Sequence, residues 1–440
     1  MDVNFILSNQ LINNPTINQH LIIFKAPEFY KKEFTKVKTG YMDSCVTNYT
    51  KTLKCKFDII TTYAKLKQFL IQKKIKEIKC YTLNDYTIHN KIKKICKITE
   101  FNNPMFLNSK ERNLSLLSKN KLLFTSFYIE QRKHYKILLK KNGTPVGDKW
   151  TFDTENRQPM SAELSSKLKE TPLFAEDRST ALAVLKNFIK KKIKFFGKYQ
   201  DYVDSRHLVM FHSALSAPLN IGIITPRDIL KEVFNCDAPI QSLEGFIRQI
   251  IGWREFMCGL YQVHYTKLMK SNFFKHKNAI PKSFYTGTTG IIPLDNSIKR
   301  FREYGYVHHI ERLMIIGNLF MLCEVHPLQV MKWFTELSID AYDWVMVSNV
   351  LVMSQFACGP FATTKPYFSS SAYILRMSNY KKDPKWCTVW DALFWRFMKK
   401  NQTFLKSNPR LAYLTRYTAS KATPTVLAVA NKFIKTGRIA

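Results

Sequence analysis

Two adjacent histidines, His308 and His309, sit in the stretch Tyr306-Val-His-His-Ile-Glu-Arg312-Leu-Met314, at the head of an apolar run from Leu313 to Leu322. Imidazoles titrate near neutrality and suit proton donation or storage. At the edge of a core they are costly unless hydrogen-bonded or used, so a pair of satisfied, half-buried histidines is the plain alternative. A second group lies in Glu244-Gly-Phe-Ile-Arg248-Gln249-Ile-Ile-Gly252-Trp253-Arg254-Glu255-Phe256. On a helix Arg248, Gln249 and Arg254 recur near one side with Trp253 close by, and polar groups threaded through an apolar helix are costly to bury unpaired. In Phe211-His-Ser213-Ala-Leu215-Ser216-Ala-Pro218, continuing to Arg227, small hydroxyl residues bracket two turns near a helix start. That arrangement suits a diphosphate, or simply caps a turn. The aromatic segment from Trp333 to Tyr367 carries Asn349 and Gln355 inside it, which points to a lined cavity as the alternative to a plain core.

The elements that would position these groups fall into two halves. Residues 1–125 alternate short apolar strands (Val3–Leu7, Leu21–Phe24, Ile78–Thr82) with helical spacing over Phe57–Lys73, Thr87–Ile98 and Ser109–Lys119. Strand alternating with helix predicts a parallel α/β sheet, with ligands at the carboxyl ends of its strands. No GxGxxG or Walker loop occurs. Residues 126–177 read as a connecting helix, Phe127–Lys140, and a long ordered loop rich in Gly and Pro, which Trp150 and Phe152 would pin. Residues 178–440 read as a large all-α domain, with helical blocks over 179–196, 226–235, 242–270, 297–322, 326–346, 385–400 and 422–436.

Lys plus Arg number 68 against 33 Asp plus Glu, a net charge of +35. Such an excess suggests a polyanion, nucleic acid before an anionic membrane surface, although a lysine-rich coding bias gives the same composition. The 32 Phe, 21 Tyr and 7 Trp add surfaces on which bases can stack. Nine scattered cysteines form no CxxC pair, so neither a disulfide framework nor zinc spacing is present. With no signal-like N-terminus and no apolar run near membrane length, the chain reads as soluble and intracellular in a reducing compartment. Cytoplasm, nucleus and viral particle are not distinguished.

The segments above, with HHIER and the earlier GDKWTFDTENR at 147–157, resemble the photolyase/cryptochrome superfamily, and within it the bacterial branch that includes the iron–sulfur (6-4) photolyases. The resemblance covers residues from about 125 to 440. It implies an α/β antenna domain followed by a helical domain holding FAD, and light-driven repair of UV-induced pyrimidine dimers flipped out of DNA. It further implies that Ser213, Leu215, Ser216, Gln249, Trp253, Arg254, Asn349 and Gln355 bind FAD. His309, His308 and Tyr367 would line the lesion pocket, with His309 as proton donor and His308 as its support. Trp333 and Tyr285 would carry electrons, Phe334 being hard to oxidise. A ribityllumazine antenna would sit near Asn9, Gln10 and Glu28, or that site would stand empty.

The chain departs from the family at several points. Pro293, Lys381 and the Lys382-Asp383-Pro384 segment stand where three cluster cysteines are needed, and only Cys387 remains near the fourth, so no iron–sulfur cluster and no metal site is expected. Cys358-Gly359-Pro360 replaces an Ala-Asp-Gly-Gly loop, and Ala214 replaces an arginine. The leading expectation is a monomeric (6-4) photolyase. The alternatives are a cyclobutane-dimer photolyase and a non-repairing flavin blue-light sensor or DNA-binding structural protein.

Overall fold

The computed structural model describes residues 2–13, 20–118, 123–170, 174–364 and 366–439. Its first part is a five-stranded parallel sheet of β1 (Asp2–Leu7), β2 (Leu21–Phe24), β3 (Phe57–Ile60), β4 (Glu77–Tyr81) and β5 (Lys97–Phe101), in the order β3-β2-β1-β4-β5. Leu21 to Phe24 pair with Asn4 to Leu7 on one side and with Phe57 to Ile60 on the other, all four fully buried. A continuous apolar run is what a strand covered on both faces requires. The remainder is helical, so the predicted architecture, α/β followed by a large all-α domain, is the one observed.

Several predicted boundaries are wrong for identifiable reasons. The Phe57–Lys73 helix is β3 followed by helix Tyr63–Gln72, which starts where Thr62 accepts the backbone N–H of Lys65. The Thr87–Ile98 helix ends at Lys93 and gives way to β5. Helix Lys36–Thr52 escaped detection because Gly40 and its many Thr residues are poor helix formers. Its Thr35 cap and its packing against the helical domain make it helical all the same. The block at 297–322 is two helices. Ile292–Tyr304 ends at Gly305, whose φ of +63° and position against Ile339 admit only glycine, and a new helix begins after an extended Tyr306–His308.

Helix Phe124–His134 packs on the turn that carries Arg248 to Arg254. Within it Arg132, fully buried, donates to the carbonyls of Ile137, Leu138 and Trp150 and so orders the loop that follows. Phe152 is buried and Trp150 half-buried, with the Arg132 guanidinium 5.2 Å from the Trp150 ring. Among the described residues no helix is long and apolar enough to cross a membrane.

Candidate functional site

A cavity of about 540 Å³ opens into the helical domain. Four of its walls are recognisable from sequence: the HSALS turn with the short helix Ser216–Asn220, the Arg248–Arg254 segment, the start of the helix after Gly305, and Trp344 to Ser354. Three of these walls contain π-helical turns, at Arg248–Arg254, Glu311–Gly317 and Val347–Ser354. A π turn inserts one residue per turn and changes which side chains face inward, and such turns recur at functional sites.

Of the predicted residues, Ser213, Leu215, Ser216, Gln249, Trp253, Arg254, Asn349, His309 and Tyr367 all line this cavity. Trp253 stacks on Phe124 with ring centroids 3.6 Å apart and planes 6° from parallel. Arg254 lies between the rings of Phe106 and Trp344, 4.8 and 4.6 Å away. It donates to Asn220 Oδ1, to the Leu219 carbonyl at 3.0 Å and to the Met105 carbonyl at 3.2 Å. Burial pulls its pKa down to about 10, so it stays charged at neutrality.

The others lie elsewhere. Gln355 is buried off the cavity; its amide donates to the Gly317 carbonyl at 2.9 Å and ties two π turns together, while Ser354 takes the place on the wall. His308 precedes the helix instead of belonging to it. It is fully buried behind the wall, stacked on His212 at 4.8 Å and 3.6 Å from Glu311. Trp333 is also fully buried, one layer behind Phe334, which faces the cavity. Its indole N–H donates to the carbonyl of Phe284, next to the half-buried Tyr285. In the α/β domain Gln10 is occupied by the Thr82 carbonyl (3.0 Å), and Glu28 by Lys91 (2.6 Å) and the Tyr63 hydroxyl (2.9 Å). Asn9 is buried with its Oδ1 unpartnered.

Sequence reasoning missed the pairing of Arg312 with Asp340, of Arg248 with Asp153 and of Arg157 with Asp201, and it missed His212; all of these line the same cavity. Arg312 Nη1 meets Asp340 Oδ1 at 2.8 Å, and Arg248 Nη1 meets Asp153 Oδ1 at 2.9 Å. Burial would raise the Asp340 carboxyl, but Arg312 holds it below the usual range. Arg157 and Asp201 approach to 3.5 Å, and burial lifts Asp201 to about 6. Arg312 stood in the HHIER motif, and its role was legible only once Asp340 was seen opposite it. His309 turns an exposed edge toward the cavity. Its depth in the molecule, and then Arg312, pull its pKa down to about 4.

The donor set suits an anionic, flat, acceptor-rich ligand. Four guanidinium groups line the cavity, and three of them each keep one buried nitrogen without a protein acceptor: Arg248 Nη2, Arg254 Nε and Arg312 Nη2. Buried N–H groups of this kind are rarely left unmatched. Ser213 and Ser216 add hydroxyls, and Trp253 and Trp344 add flat faces. A flavin dinucleotide has the matching diphosphate, carbonyls and ring system.

Residues 44–202 match the family model described as deoxyribodipyrimidine photo-lyase-related protein. Over 337 residues the chain is 36% identical to a (6-4) photolyase of Agrobacterium fabrum (strain C58), an alignment spanning 67% of this chain and 66% of that protein, just under two thirds of its length. The chain belongs to the photolyase/cryptochrome superfamily. The whole fold is shared with a class III photolyase from Agrobacterium tumefaciens (TM-score 0.60, 16% identity, 99% of this chain and 97% of that one). It is shared equally with a cryptochrome of Synechocystis sp. PCC6803 (TM-score 0.63, 15% identity, 100% and 94%). In this photolyase-superfamily chain Cys387 is buried beside Trp386 and Trp390, whose rings lie 5.8 Å apart. Among the described residues no three His, Cys, Asp or Glu side chains converge as a metal-binding group.

Proposed function

We propose that this chain is a light-driven DNA repair enzyme of the photolyase type, with FAD in the 540 Å³ cavity and (6-4) photoproducts as substrate. The observation that carries the proposal is the convergence of three incompletely paired arginines and one histidine on a single cavity. When bound and reduced, FAD supplies the electron that light drives into the lesion. Arg312 and Arg254 would hold the anionic cofactor, and Asn349, whose amide N–H is tied to the Val345 carbonyl at 2.8 Å, would help to orient it. His309 and Tyr367 line the same cavity and would face a flipped lesion, His309 as the proton donor. With a pKa near 4 in the free protein His309 is neutral at pH 7. The negative charge of cofactor and lesion must raise its pKa before it can donate. We further propose that no iron–sulfur cluster is present and that no antenna is held by Gln10 and Glu28, whose side chains are taken up by the chain's own groups.

The second reading is cyclobutane-dimer repair, in which His309 would line the lesion pocket without acting as a proton donor. One set of measurements separates the readings. Protein purified in the dark is expected to show flavin absorption without a broad iron–sulfur shoulder, and to repair an oligonucleotide carrying a (6-4) lesion on illumination with a reductant. His309→Ala is expected to lower (6-4) repair by about 100-fold or more while leaving flavin content unchanged. Repair of cyclobutane dimers alone, unaffected by His309→Ala, selects the second reading. Protein without flavin defeats both.

A further inference from the structure

Lys38 is one of the least expected residues in the fold. It belongs to helix Lys36–Thr52 of the α/β domain and is 1% exposed. Its ammonium reaches out of that domain to the carbonyls of Thr335 (2.5 Å) and Ala341 (3.0 Å), about 300 residues along the chain. Burying a lysine is expensive, and burial pulls its pKa down to about 7, while Asp340 and Asp343 help to hold the charge.

The two carbonyls bracket the connection that follows helix Pro327–Leu337 and carries Asp340. Thr335 lies in the last turn of that helix, where carbonyls lack helical partners and favour a cation. Ala341 is the neighbour of Asp340, whose carboxylate meets Arg312 on the cavity wall. Two more bonds fix the same connection: Ile339 N–H to the Gly305 carbonyl at 3.0 Å, and Asn220 Nδ2 to the Asp340 carbonyl at 2.7 Å. The α/β domain adds a further bond beside Lys38, from Thr35 N–H to the Glu336 carbonyl at 3.1 Å.

We propose that Lys38 is a positioning residue for the cofactor site: reaching in from the α/β domain, it holds the 338–342 connection so that Asp340 aligns Arg312 toward the ligand. The α/β domain is thereby part of the flavin site although the helix bearing Lys38 contributes nothing to the cavity wall. This rests on the reading of the cavity as a flavin site.

The test uses the full chain stripped of flavin and titrated with FAD, following quenching of its fluorescence. Lys38→Met is expected to weaken FAD binding about tenfold. Asp340→Asn is expected to weaken it similarly, and adding Lys38→Met to Asp340→Asn to weaken it little further, because both act through one contact. Melting temperatures of all variants are recorded alongside. A role confined to packing would lower the melting temperature of Lys38→Met and leave its FAD affinity intact, or give effects that add in the double variant; either result overturns the proposal. Amide hydrogen exchange on the wild type gives a readout that does not depend on any variant folding. FAD is expected to protect helix Lys36–Thr52 together with residues 338–342, and protection of the latter alone overturns the proposal. Failure of the wild type to bind FAD would instead defeat the functional reading beneath it.

Discussion

Burial lowers the pKa of His212, His308 and His309 at or behind the cavity wall, and it does the same to His276 elsewhere in the fold. His276 is 3% exposed, stacks on Phe274 at 5.5 Å, and has no partner for its Nε2. Desolvation pulls its pKa down to about 4, with Glu324 opposing weakly. The unfolded chain, where the value is about 6.5, therefore binds the extra proton first as pH falls. Between about pH 6.5 and 4 this one residue is expected to cost about 1.4 kcal/mol of stability per pH unit. Glu255 works in the opposite sense: burial raises it to about 7, so the folded state takes up its proton first and gains stability as pH falls. The informative quantity is thus the stability difference between wild type and His276→Phe, measured by denaturant unfolding from pH 7 to 4. It should shift steadily in favour of the variant below pH 6.5, and a constant difference would show that His276 is not held neutral.

At the scale of elements, the sequence was legible where one periodicity ran uninterrupted and misleading where two met. Leu21–Phe24 read correctly because a run of four apolar residues between polar ones suits a doubly covered strand. Phe57–Gln72 did not, because β3 is exposed on one face and its Phe57 and Ile60 continue the spacing of the helix after it. The π turns were invisible in principle. A pattern of apolar residues reports a period near 3.6, and one inserted residue leaves the pattern intact while moving Gln355 off the wall and Ser354 onto it. The motifs that line the cavity were legible because their polar residues interrupt apolar helices. Asp340 and Asp201 were not, because a carboxylate in a connection looks like any solvated acid until its arginine is seen. Close helix contacts were equally hidden. Gly197 lies where a Cβ would stand 2.8 Å from the backbone of Ser242, whose hydroxyl accepts the Gly197 N–H at 3.0 Å. Backbone cannot rotate away as a side chain can. Gly197→Ala is therefore expected to destabilise the protein by about 1–3 kcal/mol in denaturant unfolding, by separating the helices that support the HSALS turn and Arg248. No change would mean that this packing is looser than the contact implies.

Over the whole molecule the charge is distributed unevenly between inside and outside. Buried carboxylates, among them Glu244, Glu255, Glu311, Glu336 and Asp340, outnumber the buried bases Lys38, Arg132 and Arg248 among the described residues. The acids are used internally, so the outer surface is more basic than the net +35 already implies. A coding bias toward lysine explains the number of bases and gives no reason for acids to be drawn inward, whereas a polyanionic partner favours the resulting surface. The cavity mouth adds an arrangement of its own, with Arg157, Asp153 and Asp201 clustered beside Tyr367 at the entrance to the interior. Phosphates would be gripped by surface lysines and arginines, leaving the cavity for base-specific contact. Binding to duplex DNA should then be dominated by counterion release. Its affinity is expected to fall linearly on a log–log plot against salt, with a slope of about −0.9 per phosphate neutralised. For six to ten contacts that is roughly a 10³- to 10⁵-fold loss between 50 and 200 mM salt, followed by fluorescence anisotropy of a labelled duplex. A lesion held in the cavity adds contacts that release few counterions. Lesion-bearing and undamaged duplexes are therefore expected to give parallel lines, the first displaced to tighter binding at every salt concentration. A flat line for both would remove DNA as the reason for the charge, and coincident steep lines would leave the cavity without a part in recognising damage.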